Sequence, residues 1–220
     1  MIGTASRKGN ENHVEKRKRN QRGEGAQLKV EIIEAAMRLL DREPGAQLSL
    51  RTVAREVGVA PPSIYAHFAD ARAMTTEIVR ECWLQVAQEM DRALGADQTK
   101  NGFEQLQAKM GGFVRYAMER PSRYQLLFAL YPIDTDETRE LPALVRPAFR
   151  SVTQSLEQII QEGGSLPVKD LRSATLLILS LAHGRIALAH LAPLRQGNSA
   201  IGVETFVLDT LQSIFSPTHN

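Results

Sequence analysis

From Leu28 onward, apolar residues recur every three or four positions: Leu28, Ile32, Ala35, Ala36, Leu39 and Leu40 share one face, and Glu31, Glu34, Arg38 and Asp41 take the other. This is the period of an amphipathic α-helix, and it predicts a first helix ending near Pro44-Gly45. Ser49 stands immediately before Leu50, where its hydroxyl can cap a short helix running through Val57, and Gly58 suits the left-handed position that closes it. After the turn Gly58-Val59-Ala60, Pro61 and Pro62 fit the first turn of another short helix reaching about Phe68, because the donors that proline lacks have no intrahelical acceptor there. A long helix starts near Ala71, places Met74, Ile78, Cys82, Val86 and Met90 at nearly fourfold spacing, and stops at Gly95. The remainder reads as helix after helix, with breaks at 95–102, 120–121, 131–142, 163–167 and 192–199. Pro147 implies either a late start or a kink in the segment ending near Glu162. The last pair of helices covers 168–191 and about 200–215. No strand pattern and no internal repeat emerge, so the expected fold class is all-α, with about nine helices. A three-helix helix-turn-helix unit at 25–72 precedes a larger helical domain at 73–216, with an arm at 1–24 and a tail at 217–220.

Charge sharpens this division. The formal net charge is +2, yet the first eighty residues hold 14 Lys and Arg against 10 Asp and Glu, whereas the remainder holds 13 against 15. Most of the excess lies in residues 1–22, where Arg7, Lys8, Lys16, Arg17, Lys18, Arg19 and Arg22 face only Glu11 and Glu15. With almost no large apolar side chains, this segment cannot offset its ordering entropy and reads as a disordered arm. It is either a solvated leader or a nucleic-acid anchor.

Composition excludes several classes. The single cysteine, Cys82, cannot form an intramolecular disulfide, and His13, His67, His183, His190 and His219 are too scattered for metal-ligand spacing, so neither metal nor cofactor is expected. No Ser/His/Asp spacing or phosphate-binding glycine loop points to an enzyme, and Asp134, Asp136, Glu137 and Glu140 read as an acidic connector. The N-terminus lacks an apolar core of signal-peptide length, and the run Ala174 to Ala182 is shorter than a bilayer span, so a cytoplasmic protein with no membrane partner is expected.

Two short helices around a glycine turn, with a helix before and a longer one after, form a helix-turn-helix and its scaffold. Val53, Ala54, Val59, Ile64 and Phe68 sit where packing requires them. Pro61, Pro62, Ser63, Tyr65, Ala66 and His67 are left nearer the outer surface, with Arg51 at the start of the partner helix, an arrangement suited to a DNA major groove.

These residues resemble the DNA-binding domain of the tetracycline-repressor (TetR) family of bacterial regulators. The likeness runs from Ile32 to Met74, through Ile33-Glu34-Ala35-Ala36, Leu39-Leu40, Ser49 to Ala54, Gly58-Val59 and Ile64-Tyr65-Ala66-His67-Phe68. The resemblance implies that Arg51 contacts base or phosphate, that Pro61, Pro62 and Ser63 open the groove-facing helix, and that Tyr65 and His67 contact phosphate; packing or capping is the other reading of Tyr65 and His67. Two positions depart from the family pattern: Ala60 replaces the polar cap before the recognition helix, and Ala71 replaces the lysine that commonly opens the fourth helix. The basic arm, Arg22 included, is expected to compensate by following the DNA backbone or entering the minor groove.

In the larger domain, Tyr116, Pro121, Tyr124, Leu127 and Phe128, with His183-Gly184 far downstream, resemble the C-terminal domain of one branch of these regulators. Candidate effector-pocket residues are Trp83, Met110, Phe113, Tyr116, Met118, Phe128, Leu176 and His183; each could instead be plain core, and His183 needs a polar partner. Apolar positions at Leu171, Ala174, Leu177, Ile178, Leu181, Ile186, Ile201, Phe206, Val207, Leu211 and Ile214 suggest that the last two helices pair with their copies in a homodimer. The expected function is a ligand-responsive transcriptional regulator binding a near-palindromic, double-stranded DNA operator, a repressor by family default, released by a small-molecule effector that the sequence does not name. A helical interaction module without specific DNA binding is the alternative.

Overall fold

A computed structural model describes residues 24–43, 48–96, 99–129, 144–192 and 197–216. Among them are nine α-helices and no strand: α1 Glu24–Arg42, α2 Leu50–Val57, α3 Pro61–Tyr65, α4 Ala71–Leu94, α5 Gly102–Glu119, α6 Pro121–Ala129, α7 Arg146–Gln161, α8 Leu171–Leu191 and α9 Ala200–Phe215. The basic arm with Arg22, the acidic connector and the tail 217–220 lie outside the described residues.

Local chemistry sets the helix ends. The Thr52 N–H donates to the Ser49 Oγ at 3.0 Å, and Gly58 closes α2 with φ 78°, a conformation that a Cβ would oppose. Asp70 caps α4, Asp170 caps α8 and Ser199 caps α9, while Asn101 and Glu104 form a reciprocal capping box at α5. Pro147 proves to mark a late start: it lies in the first turn of α7, where its missing donor has no partner to lose.

α5 occupies the middle of the bundle and packs against α4, α6, α7, α8 and α9. Its crossing with α4 is close enough to exclude a side chain: a Cβ on Gly112 would stand 2.6 Å from the Glu89 carbonyl oxygen and 2.8 Å from the Ala93 Cβ. α4 joins the two parts of the chain, since it packs on α1 as well as on α5, α6 and α7. A second junction braces them. Arg123 on α6 donates through Nε to Asp41 Oδ1 of α1 at 2.8 Å, donates through Nη2 to Oδ2, and reaches Gln85 Oε1 on α4 at 2.9 Å.

The last two helices correct two expectations. α8 as a whole, with a mean hydropathy of 1.5 over its best 18-residue stretch, is long and apolar enough to cross a membrane by length and composition; counting only the uninterrupted run 174–182 understated it. The fold gives that apolarity another place: Ala174, Ile178, Ala182, Ile186 and Ala189 face the chain's own core. The expected pairing face is likewise divided. Ala174, Ile178, Ile186, Val207 and Leu211 are buried within the chain, while Leu177, Ile201 and Phe206 remain exposed together with Leu176, Leu188 and Leu191. Helices apolar on several sides give no periodic signal for which side turns inward.

Candidate nucleic-acid interface and aromatic cluster

α3 is held from behind and open in front. Ile64 and Phe68 are buried in the same core as Val53 and Ala54 of α2, which puts Pro61, Pro62 and Tyr65 on the outer side; Tyr65 is 53% exposed. Ala66 is exposed at the C-terminal cap of α3, and Ser63 is half-buried. His67 is half-buried as well, its ring leaning toward Gly25 of α1, so it is less open than its neighbours. Arg51 is exposed, and so is Arg55 one turn later on the same helix. Their four-residue spacing was the available signal for Arg55, which the sequence reading passed over. No side chain caps α3 at Ala60, and the first amide able to donate, that of Ser63, already bonds the Ala60 carbonyl at 2.9 Å. The head of α3 therefore offers carbon, not N–H donors, to whatever it meets. Behind the motif, Arg42 donates to both carboxylate oxygens of Glu56 at 3.1 and 2.8 Å, fixing α1 to α2; the pairing raises the guanidinium pKa and lowers that of the carboxyl.

In the larger domain the structure gathers aromatic rings where α4, α5, α6 and α8 meet. Trp83 meets Phe128 edge-on at 5.8 Å, Phe113 meets Tyr124 at 5.9 Å, and Phe128 lies 4.1 Å from the His183 ring, all between centroids. The partner that His183 needs is the Tyr124 hydroxyl, 2.7 Å from Nδ1. Tyr124 also contacts the His190 ring edge-on at 5.6 Å. Neither Tyr124 nor His190 was among the expected pocket residues; His190 follows His183 by seven positions, two turns along one face, which was the signal for it. Of the expected residues, Trp83, Phe113, Phe128 and His183 join this group, Met110 is fully buried, and Met118 is partly buried against the core. Tyr116 is buried near Cys82, its hydroxyl without a hydrogen bond of good geometry, and the Arg120 guanidinium lies 5.2 Å from its ring centre. Leu176 does not belong: it is 40% exposed on the outer side of α8.

Burial governs titration here. It pushes the Tyr124 and Tyr116 hydroxyls far above the ordinary phenol range and the Cys82 thiol up to about 11. It lowers both His183 and His190, the effect on His190 being partly opposed by the Ala117 carbonyl. Because the folded histidines bind protons less readily than unfolded ones, the unfolded chain takes up more protons below the ordinary histidine value of about 6.5. Stability from these groups is thus fully present above that value and falls as the pH drops through the lowered folded values. A urea titration should show a lower midpoint at about pH 5.5 than at about pH 7.5, and replacing both histidines by glutamine should flatten the difference. A midpoint that rises on acidification would contradict this account.

Among the described residues no group of acidic, histidine or cysteine side chains is arranged to hold a metal ion. A sequence model of bacterial regulatory proteins of the tetR family matches residues 32–78, and one of a tetracyclin repressor-like C-terminal domain matches residues 106–207. Together they span about two thirds of the chain. The fold is shared with a Rhodococcus sp. RHA1 protein of unknown function, at 21% identity and TM-score 0.69, covering 86% of this chain and 96% of that one. It is shared with the transcriptional regulator FadR from Bacillus subtilis, solved with stearoyl-CoA, at 16% identity and TM-score 0.69, covering 85% and 99%. SmeT, the repressor of the Stenotrophomonas maltophilia multidrug efflux pump SmeDEF, matches at 19% identity and TM-score 0.62, covering 87% and 91%.

Proposed function

The chain belongs to the TetR family of DNA-binding transcriptional regulators, and we propose that it works as a homodimeric repressor that grips a near-palindromic operator and lets go when a small molecule enters the aromatic cluster. The observation that carries the DNA half of this reading is the outer side of α3, with Pro61, Pro62, Ser63 and Tyr65 turned outward by buried Ile64 and Phe68 and flanked by exposed Arg51 and Arg55. On DNA, the carbon-rich head of α3 meets base edges by fit, thymine methyl groups being its natural partners, while Tyr65, His67 and Arg51 reach phosphate and set register. Arg22 and the rest of the basic arm add contacts along the backbone.

Two copies are needed because major grooves on one face of DNA recur every 34–36 Å or so. Leu176, Leu177, Leu188, Leu191, Ile201 and Phe206 form the apolar exposure on α8 and α9 through which the copies pair. An effector reaching the cluster moves α6, and the Arg123 junction with Asp41 and Gln85 passes that movement to α1 and α4, changing the separation of the two reading heads. Repression follows where the operator overlaps the promoter.

The test is a titration of purified protein against genomic fragments, beginning with the DNA upstream of its own gene, at two salt concentrations and with nonspecific competitor. Saturable binding that resists competitor is expected. Tyr65→Phe, which keeps the ring and loses the hydroxyl, should weaken operator binding about three- to tenfold for every operator sequence alike, as loss of one phosphate contact does. Binding erased by competitor would favour an interaction module, a reading for which the uncapped start of α3 at Ala60 speaks.

A further inference from the structure

His190 Nε2 is buried and has no hydrogen-bond partner, while the Ala117 carbonyl approaches the ring from α5. A carbonyl accepts from an N–H; with Nε2 unpartnered, the ring proton sits on Nδ1 and Nε2 is left as a bare acceptor. A buried acceptor without a donor loses its hydration and gains nothing in return. A molecule that brings an O–H to this nitrogen is therefore favoured over one that brings only carbon.

The surroundings decide the charge of that molecule. Trp83, Phe113, Tyr124, Phe128, His183 and His190 carry no formal charge once burial keeps both imidazoles neutral. The guanidiniums nearby in sequence are already engaged, Arg123 by Asp41 and Gln85, Arg120 by Glu119 and the Tyr116 ring, and Arg185, turned to the other side of α8, by the Gly197 carbonyl and the Phe206 ring. Among the described residues no carboxylate is paired with either imidazole, so a cation would find no counter-charge and an anion no free cation; either would give up hydration uncompensated. Phe128 and His183 are only half-buried, so both rings keep part of their surface open to solvent.

We propose that the effector of this cluster is an uncharged aromatic alcohol or phenol, its ring against Tyr124, Phe128 and His183 and its hydroxyl donating to His190 Nε2. This rests on reading the cluster as the effector site and adds the chemistry of what fills it. Trp83 is the one tryptophan of the chain and touches Phe128, so its emission reports occupancy.

The experiment titrates full-length protein, without DNA, with 4-tert-butylphenol, its methyl ether 4-tert-butylanisole, 4-tert-butylbenzoate and 4-tert-butylbenzylammonium, following Trp83 emission. The phenol is expected to bind about tenfold more tightly than the anisole, the ratio one hydrogen bond supplies, and both ions more weakly than the phenol. In His190→Leu the phenol should lose its advantage while the anisole changes by less than about twofold. Equal affinities of phenol and anisole in the wild type would overturn the proposal, as would tightest binding by either ion, absence of binding by all four, or a phenol advantage that survives His190→Leu. The wild-type comparison stands even if the variant fails to fold. Operator titration without ligand is a separate readout, so specific DNA binding with no phenol preference removes only the ligand chemistry, and a phenol preference without DNA binding removes only the regulator reading.

Discussion

Replacing Leu177 and Leu188 together by glutamate is expected to convert the proposed dimer to monomers and to weaken operator binding by more than about a hundredfold, the gain that linking two half-site contacts provides. Leu188 is 63% exposed, Leu191 82% and Ile201 79%, an apolar area that a chain working alone would leave unburied. Pairing through this face would bury each new carboxylate at a cost in hydration that the apolar seam does not return. The core side of α8, with Ala174, Ile178, Ala182 and Ile186, is untouched, so helix content should stay as it was. Light scattering and the operator titration read the two effects separately. A wild type that is already monomeric would overturn the proposed dimer, and a variant that remains dimeric would place the contact elsewhere.

The second large effect is expected from Gly112→Val. A Cβ at 112 falls 2.6 Å from the Glu89 carbonyl oxygen and 2.8 Å from the Ala93 Cβ, both on α4 and neither at the end of a flexible side chain. α4 and α5 must part, and their crossing is the most extensive helix contact among the described residues. A loss of about 3 kcal/mol is expected, as for overpacked cores, measured by urea denaturation. Gly184→Ala is the counterpart: within the chain no atom lies within 4 Å of a Cβ there, and alanine should add up to about 1 kcal/mol of helix stability in the monomeric Leu177/Leu188 background. If both glycine substitutions behaved alike, close packing would not be the reason for Gly112.

What could be read in advance divides along a physical line. Ser49, Gly58 and the double proline act on neighbours within a few residues, so their meaning is local, and the bounds of α2 and the start of α3 followed from them; α3 ends at Tyr65, three residues short of the expected Phe68, because the buried Phe68 lies in the turn after it. Ile64 and Phe68 were identifiable as inward-facing because a short helix with polar neighbours has one apolar side. The Tyr124–His183 bond joins residues 59 positions apart, and the Arg123–Asp41 junction joins residues 82 apart; no spacing rule reaches that far. Gly112 gave no warning because a glycine inside a helix acquires its purpose only from the helix that crosses it. Leu176 was grouped with the pocket for a similar reason, since α8 is apolar on its inner and outer sides alike. The residues proposed to face DNA rest on resemblance and exposure together.

His183 and Gly184 are consecutive, yet on a helix their directions differ by about 100°. One faces Tyr124 and Phe128; the other faces open space on the outside of the chain. The proposed effector contact and the shape of the outer surface are thus separated by a single peptide unit of a rigid rod. Anyone redesigning the proposed effector site inherits that linkage: a substitution at 183 that turns α8 would turn the outer face with it. A biosensor built on this scaffold would do better to change its selectivity from α6, at Phe128, and leave the His-Gly step alone.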